Sequence, residues 1–298
     1  MVYTEVKEKK GRKYYYRVKS VKKDKKVSKE RIYLGVNLNI EKLKKKIKEA
    51  DKKLNVFDAI LSKEQIEFLE RVKKDFSKEP KENYENRYES FCSLFTYDST
   101  GIEGNTLTLL DTSFLLFEGI VPKNKSLREI NETINHKKAF DYMLNYSGDI
   151  SKEFILELHR LVVINTLRDD LISQIGRYRR VQVFIGRSIP PKPSDVPNEM
   201  ARLLRWYSIN KIKVHPVVLA SYFHTEFEKI HPFVDGNGRV GRLLMNFILH
   251  KNKYPLINIS KKIRFKYYKF LQEAQYQGKL ENFIKLLIDI LKKDKLKF

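Results

Sequence analysis

At 298 residues, the chain is long enough for one large domain or for a domain with an appendage. Its composition, 42% hydrophobic and 33% charged with 17 Tyr and 18 Phe, argues against disorder throughout and for a sizeable core. Cys92 is the single cysteine, which excludes an internal disulfide and any cysteine-based zinc cluster. No apolar run is long enough to span a bilayer and the N-terminus lacks the apolar stretch of a secretory signal, so a reducing cytoplasm is the expected location.

The net charge of +23 is unevenly spread: residues 1–54 hold 20 Lys/Arg against 7 Asp/Glu, a net +13. Such an appendage suits an acidic partner, nucleic acid included, or is simply a lysine-rich solvated surface. Within it, Tyr14 to Lys23 and Val27 to Leu34 have strand character and are separated by Asp24-Lys25-Lys26, which predicts a β-hairpin. A lysine-rich helix follows, with Leu43, Ile47 and Leu54 on one face, and a boundary falls near residue 55.

The remainder reads as mainly α. Ser62-Lys63-Glu64-Gln65 is a capping box that opens a helix carrying Ile66, Leu69 and Val72. Ser151 or Asp149 could cap a helix with Phe154, Leu158 and Leu161. Val217, Leu219, Phe223 and Phe227 mark a helix that ends at His231-Pro232. Val240, Leu243, Leu244, Phe247 and Ile248 mark the next one. Two further helical patterns lie between Phe265 and Lys292, separated by Gly278. The exception is Val181 to Gly186, which is strand-like and leads into the proline-rich stretch at 190–193; a short hairpin or flap fits there.

The chemistry concentrates at residues 231–242, HPFVDGNGRVGR. The loop Asp235-Gly236-Asn237-Gly238 leads straight into a helix N-terminus, whose unpaired N–H groups suit phosphate oxygens. Glycines let the backbone approach an anion closely. Arg239 and Arg242, three apart, share a helix face and can grip phosphates with their forks. Asp235 is a hard oxygen ligand suited to Mg²⁺, and His231 is placed to take a proton from a nucleophile. No P-loop and no dinucleotide-binding glycine pattern is present, and the other histidines, His136, His159, His215, His224 and His250, lack metal-ligand spacing.

The ordered run resembles the signature of the Fic family, H-x-F-x-[D/E]-G-N-G-R-x-x-R, at every specified position. Similarity extends from about residue 85 to 290. Gly176-Arg177-Tyr178-Arg179 and the segment to Pro193 resemble the family's flap, and Lys266-Tyr267-Tyr268 resembles its adenine-lining segment. The resemblance implies a Fic-type helical domain over 56–298 with a short β-hairpin flap, beside a basic β-hairpin and helix over 1–55. It implies AMP transfer from ATP, with Mg²⁺, to a Ser, Thr or Tyr hydroxyl of a target protein. His231 would be the general base and Asp235 the metal ligand. Gly236, Asn237 and Gly238 would bind phosphate, with the Asn237 side at the α-phosphate. Arg239 would hold the β-phosphate and Arg242 the γ-phosphate. Tyr267 and Tyr268 would line the adenine pocket, and Val183, Phe184, Ile185 and Gly186 would dock the target.

Ser99-Thr100-Gly101-Ile102-Glu103-Gly104 reads plainly as a helix ending near a glycine. It also resembles the family's inhibitory motif at Ser99, Glu103 and Gly104, implying an inhibitory helix near 95–104 whose Glu103 pairs with Arg242. The same glutamate would suit a hydrolase that removes AMP, so the direction of the reaction stays open. A regulator that binds nucleic acid through residues 1–54 is the alternative from a different class. The chain has no recognition helix or RNP-type motif, so that alternative ranks behind a protein target. No membrane partner is expected, and a homo-oligomer stays open.

Overall fold

The computed structural model describes residues 2–23, 26–54, 57, 60–186, 189–293 and 298. The chain forms two compact units, Met1–Glu67 and Phe68–Phe298.

The first unit is an antiparallel sheet in the order β1 (Val2–Lys9), β2 (Arg12–Lys23), β3 (Lys26–Val36), followed by α1 (Ile40–Leu54). The predicted hairpin is thus β2 and β3, and β1 adds a third strand. The β1–β2 turn places Lys10 at φ 51° and Gly11 at φ 69°, the left-handed pair that matches strand twist in a two-residue hairpin. The β1 pattern is faint because it is mostly polar and Val6 stays 51% exposed. Register runs from Tyr3 opposite Val18 to Tyr14 opposite Val36, with a slip between Tyr15 and Tyr16. Arg17 grips Asp51 of α1 with Nε at 2.5 Å and Nη2 at 3.0 Å. Asp24 and Lys25, part of the predicted turn, lie outside the described residues.

The later part of the chain is helical. Ser62 and Gln65 exchange the expected capping-box bonds at the start of α2 (Lys63–Phe76). Next come α3 (Tyr84–Ile102), the short α4 (Leu109–Ser113) and a π turn, then α5 (Leu127–Asn145) and α6 (Lys152–Val163). The Ser151 hydroxyl caps α6 by accepting from the Phe154 amide, while Asp149 accepts from Tyr207. Then follow α7 (Val196–Asn210), α8 (Pro216–Ile230), α9 (Asn237–Lys251), α10 (Arg264–Gln277) and α11 (Leu280–Lys293).

Helices α8 and α9 are the central pair. α7, α10 and α11 pack against α8, and α3, α5 and α6 against α9. Each shows one apolar stripe in the sequence, yet both are buried nearly all round, including polar Ser221, His224, Glu228, Arg239, Arg242 and Asn246. Those polar residues face other protein groups, as buried polar atoms must.

The hairpin expected at 181–186 is corrected. Among the described residues this segment contains no strand, only an isolated bridge at Ile185. The reason is local chemistry: prolines at 190, 191 and 193 cannot donate ladder bonds. Side chains join the two arms instead, with Gln182 donating to the Pro190 carbonyl at 3.2 Å and Arg179 bonding the carbonyls of Val181 and Pro191.

Phe154 is 1% exposed, stacks on Tyr146 at a centroid distance of 4.2 Å and meets Phe247 in a tilted contact at 4.6 Å. Phe154→Ala should lower stability by about 3–5 kcal/mol, read as a drop in the denaturation midpoint with an unchanged slope.

Candidate functional site

The site is built where α8 stops. Its last N–H bond, from His231 to the Phe227 carbonyl at 2.9 Å, leaves His231 in the left-handed region at φ 50°. That turns the chain into Pro232 and directs Phe233 inward, where it is fully buried and lies flat on the His159 ring at 3.8 Å. Burial holds the His159 pKa down at about 3, so this face is neutral; its Nδ1 accepts from the Gly176 amide at 3.1 Å. Asn237 closes the loop. Its Oδ1 accepts from the Phe233 amide and its Nδ2 donates to the Phe233 carbonyl, both at 2.9 Å. The Asn237 side chain therefore holds the loop in shape, and in this structure it does not point out toward an anion.

Gly236 caps α9 at φ 79°, and no side chain caps that helix. Its amino end is thus an anion cradle, with free N–H groups and the positive end of the helix dipole. The cradle already faces a carboxylate. A Cβ on Gly238 would collide with Glu103 Oε1, which places the Glu103 side chain directly over the first turn of α9.

Arg242 is 1% exposed and reaches the end of α3. Nε donates to the Ser99 hydroxyl at 3.0 Å, and Nη2 to the Ser99 carbonyl and to Glu103 Oε1, both at 2.8 Å. Burial opposes the charge, but Glu103 outweighs it and raises the guanidinium pKa. Arg239, also 1% exposed, donates to Asp235 Oδ1 at 3.0 Å and lies 3.7 Å from Glu132. Gly104 adopts φ 106° just beyond Glu103.

Asp235 is engaged on both oxygens. Oδ1 accepts from the Gly236 amide and Arg239, and Oδ2 from Arg128 at 3.1 Å. Burial pushes its pKa up, but Arg239, the amide and Arg128 outweigh it, and the carboxyl stays below its ordinary value. Among the described residues no three His, Cys, Asp or Glu side chains cluster as a metal site. One ionised carboxylate beside a phosphate cradle fits Mg²⁺, which takes one or two carboxylates and completes its shell with phosphate oxygens and water.

Several contributors escaped the sequence reading. Arg179, 2% exposed, donates from Nε to the His231 carbonyl at 2.8 Å and also holds Val181 and Pro191, so one guanidinium ties the flap to the His231 backbone. Glu132 and Arg128 complete the ion-pair chain to Asp235. Glu228, one turn before His231, is buried, and burial pushes its pKa up to about 8. Its Oε1 has no hydrogen-bond partner, and a Cβ on Gly241 would collide with it. A signal for Glu228 did exist: it shares the buried face of α8 with His224 and His231 at i+4 and i+3 spacing.

The two candidate adenine residues differ. Tyr267 is 1% exposed, its hydroxyl 2.8 Å from His224 Nε2 and its ring beside Phe283, so it is part of the second layer. Tyr268 is 37% exposed and presents the surface. Of the flap residues, Phe184 is 70% exposed.

A helical domain whose central helix pair frames a buried histidine and an arginine-lined anion cradle defines the class of this protein. Residues 149–249 match the Fic/DOC family. Over 201 residues the chain is 41% identical to protein adenylyltransferase Fic of Drosophila melanogaster, an alignment covering 66% of this chain and 40% of that protein. The equivalent protein of Drosophila persimilis is 40% identical, with 66% of this chain and 39% of that one covered. This chain therefore spans about 40% of the length of the curated relatives it matches. Among solved structures, a Fic-domain signalling protein from Bacteroides thetaiotaomicron superposes with a TM-score of 0.68 at 28% identity, over 76% of this chain and 93% of that one. Fic-1 of C. elegans superposes with a TM-score of 0.69 at 25% identity, over 86% and 76%. The chain is a member of the Fic/DOC family.

The raised Glu228 pKa makes stability depend on pH. A carboxyl that binds its proton more tightly when folded contributes stability at low pH and loses it as pH rises through about 8. Glu228→Gln should therefore melt increasingly above the unsubstituted protein as pH rises from about 5 to about 8, with the gap smallest near pH 5 and level above about 8. Parallel melting curves across that range would show that Glu228 is not held protonated.

Proposed function

We propose that this chain is a protein adenylyltransferase, transferring AMP from ATP to a Ser, Thr or Tyr hydroxyl of a target protein, and that Glu103 holds it off. The observation that carries the reading is the carboxylate of the chain itself in the anion cradle, paired with Arg242 at 2.8 Å and seated over Gly238. A phosphate cradle beside a base, closed by the same chain, is what a self-inhibited nucleotidyl transferase requires.

In the reaction, His231 Nε2 takes the proton of the target hydroxyl. The hydroxyl oxygen bonds to the α-phosphorus. The bond from that phosphorus to the bridging oxygen breaks, and pyrophosphate leaves with the electron pair. Burial, countered in part by Glu228, Glu103 and Asp235, brings the His231 pKa down to about 4, so the imidazole is neutral and able to accept a proton at physiological pH. The amides at the start of α9 would meet the developing charge. Arg239 and Arg242 would hold the β- and γ-phosphates once released from Asp235 and Glu103. Mg²⁺ at Asp235 would neutralise phosphate charge. Tyr268 would lie beside adenine, and an extended stretch of the target would pair along Val183 to Gly186, a form of strand addition.

Transfer from ATP labelled on its α-phosphate, assayed with cell extract, tests this. Glu103→Gly should raise labelling more than about tenfold by freeing Arg242. Adding His231→Ala should remove it. No gain in Glu103→Gly would dismiss the inhibitory role, and labelling that survives His231→Ala would dismiss the base.

The same pair predicts a stability effect. Glu103→Gly strands a buried guanidinium, although Ser99 still binds it and Glu103 is itself 35% exposed. The loss should be about 2 kcal/mol without ligand, with saturating ATP restoring the melting temperature.

A further inference from the structure

His231 needs its proton on Nδ1 and a free lone pair on Nε2 to act as a base. Its Nδ1 is buried without a hydrogen-bond partner. Two acceptors face it, both from Glu228. The backbone carbonyl lies near without closing a hydrogen bond, and carboxyl Oε2 stands 3.8 Å away. The side chain of Glu228 is 8% exposed and its other oxygen is also unpartnered. The absence of a side chain at Gly241 makes room for that carboxyl. Nδ1 and Oε2, 3.8 Å apart and one turn apart along the chain, describe a hydrogen bond that a small side-chain rotation would form.

We propose that Glu228 is a positioning residue for His231: its carboxylate takes the Nδ1 hydrogen and so fixes the tautomer whose Nε2 is free to accept the target's proton. The proposal rests on the AMP-transfer reading of the site and deepens it.

The surroundings explain why the bond is open in this structure. Glu228 is faced by Arg242 of α9, by Glu103 at the end of α3, by His224 of its own helix and His231 just beyond it, and by Tyr267 and Tyr268 of α10. His224 is held neutral by burial, so Arg242 is the one cation within this group. Burial is the main reason Glu228 holds its proton, and the docked Glu103 adds to it, because two carboxylates around one guanidinium repel. A protonated carboxyl donates to Nδ1 and favours the tautomer with its hydrogen on Nε2, which cannot act as base. Departure of Glu103 removes that repulsion and frees Arg242, which faces Glu228, to draw its carboxyl toward the ionised form against burial. Glu103 thus acts on both halves of the site, on the cradle by contact and on the base through Glu228.

The test uses the full chain labelled with ¹⁵N-histidine, in the Glu103→Gly background. There His231 should carry its hydrogen on Nδ1. Adding Glu228→Met, which preserves size and removes the charge, should move the hydrogen toward Nε2. It should lower kcat about ten- to hundredfold with little change in KM for ATP, and displace the acid limb of kcat to lower pH, because no carboxylate then stabilises the imidazolium. Glu228→Gln, which keeps an acceptor, should fall between the two. An unchanged tautomer and unchanged kcat in Glu228→Met, or a hydrogen found on Nε2 before that change, would overturn the proposal. If Glu103→Gly transferred no AMP, the functional reading would fail while the nitrogen spectra still decided the role of Glu228. If Glu228→Met did not fold, the Gln variant would carry the same comparison.

Discussion

A guanidinium buried to 1% exposure cannot stand alone. Arg242 comes from the first turns of the central helix and is fully desolvated there, so something must supply a counter-charge. In this structure Ser99 and Glu103, well over a hundred residues upstream, supply it. That requirement sets the position of the end of α3. It also determines what fills the amino end of α9, and through charge repulsion it reaches the carboxyl next to the histidine. The remaining ion pairs follow the same rule. Arg239 is matched by Asp235 and Glu132, and Arg128 links those two acids.

The loop between α8 and α9 is held from beneath rather than by its own sequence preferences. A left-handed histidine, a phenylalanine stacked on a neutral imidazole and an asparagine satisfied twice by the backbone leave it little freedom. Arg179 adds a tie from the flap side through the His231 carbonyl. α3 is fixed just as firmly: Asp98 accepts from the Lys261 amide and the Asn258 side chain, while the Tyr268 hydroxyl approaches the Ile102 carbonyl at 3.4 Å. The aromatic side of the site and the turn that carries Glu103 therefore share contacts.

The contiguous part of the site was legible in the sequence because its residue types are chemically specific and lie within twelve positions. Helix existence was legible from apolar spacing, and the caps at Ser62 and Ser151 from their hydroxyls. Other features were hidden for physical reasons. Contacts such as Arg128 to Asp235 or Arg179 to His231 join segments that no local period connects. Glu228 carries no mark of burial in its residue type, because burial of a carboxyl is uncommon. Tyr267 and Tyr268, neighbours in sequence, point in different directions on α10, so one is core and the other surface. The strand-like run at 181–186 has β-branched and aromatic residues, but strand propensity becomes a strand only when a partner can complete the ladder.

The contact between Glu228 and Gly241 has a consequence for how such chains diverge. The carboxyl occupies the space a side chain at 241 would need. A lineage that exchanged this acid for something shorter would open most of that space, leaving the His224 ring as the remaining close neighbour of a side chain at 241. A lineage that enlarged 241 first would have to surrender the acid. The two positions should therefore drift as a couple, thirteen residues apart in the chain and on different helices, while the residues of the motif around them stay the same.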